Sequence, residues 1–256
     1  MNNASSDAFT LLDVRQPAEY ESEHIPGAKL IPLPDLGHRE AEIDTDKPII
    51  VYCAIGGRSR VAAQMLAAKG FKEVINLTGG IKAWNSEKAV GREEQGLALF
   101  SGKESPEETL IVAYSLEEGL REFYVSMVSR VKDENVRQLF ELLSSIEVKH
   151  QDRILSEYGR ITGTVVSREE FARKTVGPAM EGGLTTEEYL QLYQPDLEIP
   201  EEVISLAMAI EAQALDLYQR AAERAGTDAA RTALIQIANE ERSHLEQLAK
   251  LFENLQ

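Results

Sequence analysis

Two patterns of hydrophobic and polar positions divide the chain, and the change falls near residue 95. Up to there, short runs rich in β-branched residues (TLLDV at 10–14, PIIVY at 48–52, VINL at 74–77) alternate with Gly and Pro turns and with one helical stretch, SRVAAQMLAAKG, that stops at Gly70. This alternation predicts an α/β fold. PIIVY is apolar almost throughout, as a central parallel strand covered on both faces must be. From about residue 105 apolar residues recur every three or four positions and strand signals cease, which predicts an all-helical second half. Four long helices are expected over about 106–132, 133–158, 200–225 and 227–254. Ser105 and Pro106 suit the N-cap and N1 of the first. GTDAAR at 226–231 supplies a turn glycine and a capping Thr227 or Asp228 for the last. The first two join tightly near Lys132 and Asp133, so each pair predicts an antiparallel hairpin. Residues 159–199, with Gly159, Gly163, Pro178, Gly182, Gly183 and Pro195, and with Pro200 just beyond, form a long crossover between the two hairpins of a four-helix bundle. The expected division is a domain over 1–95, a linker over 96–105 and a bundle over 106–256.

Composition narrows the function classes. At 256 residues and 43% hydrophobic, the chain can bury one large core or two ordinary ones. A net charge of -16 argues against nucleic acid or an anionic membrane as partner, since both demand clustered Lys and Arg. There is no apolar run of about 18 residues, and MNNASSDAF lacks the basic start and apolar stretch of a signal peptide, so a cytoplasmic location is expected. The single cysteine, Cys53, excludes an intrachain disulfide framework and any four-cysteine metal centre.

Within SSIEVKHQDR at 144–153, Glu147 and His150 lie three residues apart on one helix face, together with Leu139, Leu143 and Ile154. Alone, such a pair is no more than a charged helix face. Comparing the hairpins changes that. AYSLEEGLREFY at 113–124 matches AMAIEAQALDLY at 207–218 as A-x-x-x-E-x6-Y, an offset of 94. The same offset carries Glu147 and His150 onto Glu241 and His244 in ANEERSHLEQL. One Glu from each of two helices (Glu117, Glu211) plus Glu-x-x-His from each of the other two is the ligand set of a carboxylate-bridged di-iron or di-manganese site. Two divalent ions cancel four carboxylate charges that would otherwise repel inside an apolar bundle. Carboxylate with imidazole suits iron or manganese; zinc usually takes four ligands, often thiolates. Glu118 and Glu240 are the rivals next to Glu117 and Glu241, and the repeat offset and the step to His244 favour the latter pair. Tyr124 and Tyr218 are either hydrogen-bonding or redox-active neighbours of the ligands, or core aromatics.

Residues 106–256, on both E-x6-Y and both Glu-x-x-His motifs, resemble the ferritin-like domain of the rubrerythrin superfamily. The resemblance implies that Glu147 and Glu241 bridge the metals, with Glu117, Glu211, His150 and His244 as terminal ligands. Rubrerythrins proper carry a further carboxylate about one turn after the third-helix ligand, where Ala214 stands here. They also carry a four-cysteine rubredoxin module, which one cysteine cannot build, so reductive turnover would need an external electron donor protein.

Cys53 follows the strand PIIVY and opens CAIGGRSR, after which a helix begins. The carboxyl edge of a central strand is the expected site position in an open α/β sheet. Gly56 and Gly57 let a tight loop turn its N–H groups inward; these dipoles and Arg58 are expected to lower the thiol pKa. LLDVRQPAEYESEHIPGAKLIPL at 11–33, VYCAIGGRS at 51–59 and LTGGIKAW at 77–84 together resemble a rhodanese domain. The resemblance implies that Cys53 accepts a sulfane sulfur from thiosulfate or a persulfide and passes it on. The loop Ala54, Ile55, Gly56, Gly57 and Ser59, with Arg58, would cradle the anionic donor. Four residues separate Cys53 from Arg58, where related phosphatases have five, and the shorter loop favours sulfur over phosphate. Asp13, Arg15 and Glu19 are expected to form structural polar pairs, and neither His24 nor His38 is expected to be a ligand. Rhodanese domains usually begin with a further strand and helix, yet about ten residues precede LLDVR, so the sheet is expected to lack an edge element or to be covered by a partner subunit.

The expectation is therefore an α/β rhodanese-like domain followed by an all-α ferritin-like four-helix bundle: a sulfurtransferase acting through a Cys53 persulfide, and a di-iron centre acting in peroxide or oxygen reduction. The alternative is a bundle that oxidises or stores iron, with the first domain as persulfide carrier, sensor or docking module. A homodimer that exchanges hairpins through the crossover is compatible with both.

Overall fold

The computed structural model describes residues 8–174 and 181–254; the first seven residues and Pro178 of the crossover lie outside them. The chain splits into two compact units, Met1–Gln95 and Gly96–Gln256.

In the first unit the elements run β1 (Thr10–Asp13), α1 (Pro17–Ser22), β2 (Lys29–Leu30), α2 (Leu36–Arg39), β3 (Ile49–Tyr52), α3 (Gly57–Ala68) and β4 (Val74–Asn76). The four strands are parallel in the order β2-β1-β3-β4. Lys29–Leu30 is a strand that hydrophobic patterning does not single out, because two residues are too few to show a period. Leu12, Ile49, Val51, Ala62 and Leu66 share one cluster, and Leu11, Tyr20, Leu30, Tyr52 and Ile81 another. The sheet is thus covered on both faces, which is why β3 is apolar except for the Tyr52 hydroxyl, and that accepts from the Ile25 amide. Where β1 ends, the Arg15 guanidinium donates to both oxygens of buried Asp13, at 2.6 Å for the shortest contact, and to the Glu23 carbonyl at 2.7 Å. Pairing is what makes two buried charges tolerable there.

The second unit consists of α4 (Pro106–Val128), α5 (Glu134–Thr162), α6 (Arg168–Ala172), α7 (Thr186–Tyr193), α8 (Pro200–Arg224) and α9 (Asp228–Glu253). Ser105 caps α4 in a reciprocal box with Glu108, Asp133 accepts from the amides of Asn135 and Val136, and Thr227, not Asp228, caps α9 by accepting from Ala230. Each cap contributes about 1 kcal/mol. Helix α5 continues past Gly159 to Thr162 and ends on Gly163 at φ 70°, so the crossover is shorter than the glycine pattern suggests. It is also structured: Phe171 of α6 lies edge-on between Tyr114 and Tyr158, and Tyr189 of α7 is buried in the bundle core. Helices this short leave no periodic trace. Residues 97–100 are not free linker either, since Leu97 and Phe100 pack with Leu217 and Tyr218 in the core. An apolar run such as GLALF has to be buried somewhere. Among the described residues no helix is long and apolar enough to cross a membrane.

The bundle core is divided along its length. Leu116, Ile154, Ala214 and Ala238 belong to one hydrophobic cluster; Leu120, Leu143, Ile210 and Leu248 belong to another. On every long helix the residues between these clusters include a buried carboxylate: Glu117, Glu147, Glu211 and Glu241.

Candidate functional site

This polar layer brings together all six residues singled out by the internal repeat. Glu117 of α4 meets Glu147 and His150 of α5, and Glu211 of α8 meets Glu241 and His244 of α9; all six are buried. His150 Nδ1 lies 3.0 Å from Glu147 Oε2 and 3.3 Å from Glu117 Oε2. His244 Nδ1 lies 3.0 Å from Glu241 Oε2 and 3.6 Å from Glu211 Oε2. In each group one ligand atom from each of the three residues lies within 4.8 Å of the others. The imidazoles stack with centroids 3.6 Å apart and planes within 4°, so the two groups share one centre.

Burial penalises the Glu117 and Glu211 carboxylates, yet each is held below the usual carboxylate range, Glu211 at about 2, by the imidazole it faces and by a hydrogen bond with its Glu neighbour. Burial in turn lowers the His244 imidazole, but the Glu211 carboxylate outweighs it and raises the pKa. The His244 imidazole, with its raised pKa, thus supplies positive charge to the layer, and a divalent cation would take that place. Glu211 Oε2 is buried with His244 Nδ1 at 3.6 Å, too long for a good hydrogen bond, a costly state that a metal would relieve. Oxygen and imidazole donors with no thiolate fit iron or manganese.

The rivals point elsewhere. Glu118 accepts from Arg121 and from Gln151, whose Nε2 is 2.5 Å away, and Gln151 Oε1 in turn accepts from Arg168 of α6. Glu240 pairs with Arg153 at 3.4 Å. Tyr124 packs with Phe123 and Phe140, and Tyr218 lies edge-on to Phe100; both are fully buried. Ala214 is buried in the apolar cluster beside the ligand layer.

Cys53 lies immediately beyond the carboxyl end of β3, with β1 and β4 on either side. Its sulfur accepts from the Gly56 amide at 3.1 Å and from the Ser59 hydroxyl at 3.5 Å. Burial would raise the thiol pKa; the Ser59 hydroxyl and the amides of Ser59, Ile55 and Gly56 outweigh it and bring the pKa down to about 7. The alkylation rate of Cys53 by iodoacetamide should therefore rise through a midpoint near pH 7, below which the sulfur is a protonated thiol. Ser59→Ala should move that midpoint upward. A wild-type midpoint at about 8.5, that of an ordinary thiol, would contradict this.

The loop needs Gly56 at φ 101° to turn its amides inward. It also needs Gly80, whose place in LTGGIKAW gives no hint of this role. The Ile81 and Lys82 amides donate to the Cys53 and Ala54 carbonyls at 2.9 and 3.1 Å, and a Cβ on Gly80 would lie 2.1 Å from the Cys53 oxygen. Gly80→Ala, at φ 59°, is expected to cost about 2–3 kcal/mol of stability, measured by urea unfolding, and to displace the thiol loop.

Ala54 and Gly57 complete the loop, and Ile55 stands exposed on it. The Arg58 guanidinium is engaged by Glu19, with both Nη–Oε contacts at 2.6 Å, and also interacts with the Cys53 sulfur. Of the polar residues in DVRQPAE, Asp13 and Arg15 pair with each other, while Glu19 reaches the thiol loop. His24 stacks on Tyr20 at 3.8 Å, and exposed His38 lies in the last turn of α2; neither belongs to a metal-ligating group among the described residues.

Comparison with known proteins agrees with this division. A family model described as Rubrerythrin matches residues 108–252, and one described as Rhodanese-like domain matches residues 1–87. The Uncharacterized protein YqhL of Bacillus subtilis is 49% identical over 77 residues, which are 30% of this chain and 61% of YqhL. The Thiosulfate sulfurtransferase GlpE of Coxiella burnetii is 40% identical over 78 residues, 30% of this chain and 73% of GlpE. A solved structure described as rhodanese with anions, from E. coli, is 36% identical with a TM-score of 0.31, and covers 33% of this chain and 100% of its own. The chain spans less than two thirds of the length of YqhL, and 45% of the Putative sulfur carrier protein YrkF of Bacillus subtilis. With more than half of its residues matched by the Rubrerythrin model, the chain belongs to the rubrerythrin family, and it carries a rhodanese-like domain ahead of the bundle.

Proposed function

We propose that the chain couples two chemistries in one polypeptide: sulfane-sulfur transfer through Cys53, and reduction of peroxide or oxygen at a di-iron centre in the bundle. The observation that carries the first is a thiol with a pKa of about 7 in a nest of amides at the end of a central strand. Its thiolate attacks the outer sulfur of a donor such as thiosulfate. The donor's S–S bond breaks, its electron pair leaves with sulfite, and a persulfide forms on Cys53 with no net oxidation. A nucleophile such as cyanide or an acceptor thiol then takes the outer sulfur and returns the thiolate. The amides of Ile55, Gly56 and Ser59 hold the negative charge throughout.

The observation that carries the second is the pair of Glu-Glu-His groups sharing one buried layer. Glu117, Glu147 and His150 of one group and Glu211, Glu241 and His244 of the other would hold the iron. Iron bound there supplies the electrons for reducing oxygen or peroxide. The protein's own residues hold the ligand geometry through four long helices, and the apolar clusters above and below exclude water. Return to the reduced state draws on an external electron donor. Peroxide consumption in the presence of a reductant, set against oxidation of added ferrous iron by oxygen, tests the reading; iron oxidation without peroxide turnover would overturn it in favour of iron handling.

A further inference from the structure

Glu19 is held from two sides. Its Oε2 accepts from the Gln16 amide at 3.1 Å, closing the N-terminal turn of α1, and from Arg58 Nη1 at 2.6 Å; its Oε1 accepts from Arg58 Nη2 at 2.6 Å. The carboxylate is therefore tied to a helix N-terminus, which favours its negative charge, and presents a fixed fork to the guanidinium. Arg58 bears the only positive side-chain charge in the loop from Cys53 to Ser59, and it interacts with the Cys53 sulfur as well as with Glu19. A carboxylate bound in both Nη positions occupies the geometry that an incoming oxyanion would use, and it cancels the charge that would attract a dianion.

We infer that Glu19 is a specificity-determining residue: by pairing with the Arg58 guanidinium it offsets that charge beside the Cys53 sulfur and tunes Cys53 to sulfane-sulfur donors of low charge, disfavouring dianions such as thiosulfate. The inference rests on the sulfur-transfer reading of Cys53. The loop amides remain to hold one negative charge, which is what a persulfide or thiosulfonate carries at its reacting end. Two donors isolate the effect. Thiosulfate is a dianion, and methanethiosulfonate is a monoanion with the same outer sulfur in which a methyl group replaces one oxygen. Each yields the same Cys53 persulfide, releasing sulfite or methanesulfinate with the electron pair of the broken S–S bond.

The test variant is Glu19→Gln in the full chain. The side chain is about one third exposed, and Gln keeps an oxygen for the Gln16 amide, so α1 retains its cap. With one guanidinium charge freed near the loop and partly screened by water, KM for thiosulfate should fall about fivefold and KM for methanethiosulfonate about twofold, because the interaction scales with donor charge. The kcat for each donor should stay within about twofold, since the attacking sulfur and its amides are untouched. An independent readout needs no turnover: the sulfate concentration that half-protects Cys53 from iodoacetamide should fall in Glu19→Gln by a factor similar to that for thiosulfate. Rising KM values for both donors would mean that Glu19 positions Arg58 for the donor, and equal changes for both would mean that charge is irrelevant; either overturns the inference. Absence of transfer by the wild type with both donors, alongside the shift in sulfate protection, would instead overturn the sulfur-transfer reading while leaving the charge-offsetting role in place.

Discussion

Replacing Glu147 and Glu241 together with alanine is expected to reduce the metal content of anaerobically iron-loaded protein from about two ions per chain to none, read by elemental analysis and by loss of the visible absorption of the oxidised centre. Each removed carboxylate lies within reach of the imidazole three residues on, so neither group keeps more than one Glu and one His. Folding should survive the change. The metal-free layer holds four carboxylates and two imidazoles between apolar clusters, and deleting two of those carboxylates removes repulsion and desolvation at the expense of two small cavities. The decisive contrast is thermal: iron should raise the unfolding midpoint of the wild type, as any ligand bound only by the folded state does, and should leave that of the double variant where it is. Wild-type protein that takes up no metal under anaerobic loading would sink the di-iron reading.

Cys53→Ser should abolish thiosulfate:cyanide sulfur transfer, by about a thousandfold or more, because a serine hydroxyl is not ionised near neutral pH and cannot carry a persulfide. The side chains are nearly isosteric, and Cys53 is buried at the end of β3 in a loop whose backbone is held by Ile81 and Lys82, so the fold should be unaffected. Metal uptake by the bundle should also be unchanged, since its ligands all lie between Glu117 and His244. Sulfur transfer that persists in Cys53→Ser would show that the chemistry does not pass through this thiol.

Much of this was legible before any coordinates. The offset of 94 residues picked out both Glu-Glu-His groups because a repeated hairpin must place equivalent residues on equivalent helix faces, and periodicity alone put those faces inward. The position of Cys53 was equally legible, since an apolar strand followed by Cys and two glycines allows few local geometries. What stayed hidden were contacts between residues far apart in sequence. Glu19 and Arg58 are 39 residues apart and belong to separate helices, and nothing in DVRQPAE distinguishes a glutamate that reaches the thiol loop from one that pairs beside it. Gly80 looks like one more turn glycine until the Cys53 carbonyl is found where its Cβ would lie. Lys29–Leu30, α6 and α7 escaped because segments so short cannot display a period.

By itself, then, the sequence determined the two-part organisation, the inward faces of the bundle, and the repeated Glu and His positions and the thiol from which the candidate sites are built. All of these depend on spacing along one chain, and spacing within a helix or strand is fixed by backbone geometry. Only the tertiary structure decided that the ligand layer divides the bundle core between two apolar clusters, that the imidazoles stack at its centre, and that the Arg58 charge is already taken by a carboxylate. Those outcomes depend on which faces meet and at what depth, and on the competition among charges that are brought together only when distant segments pack.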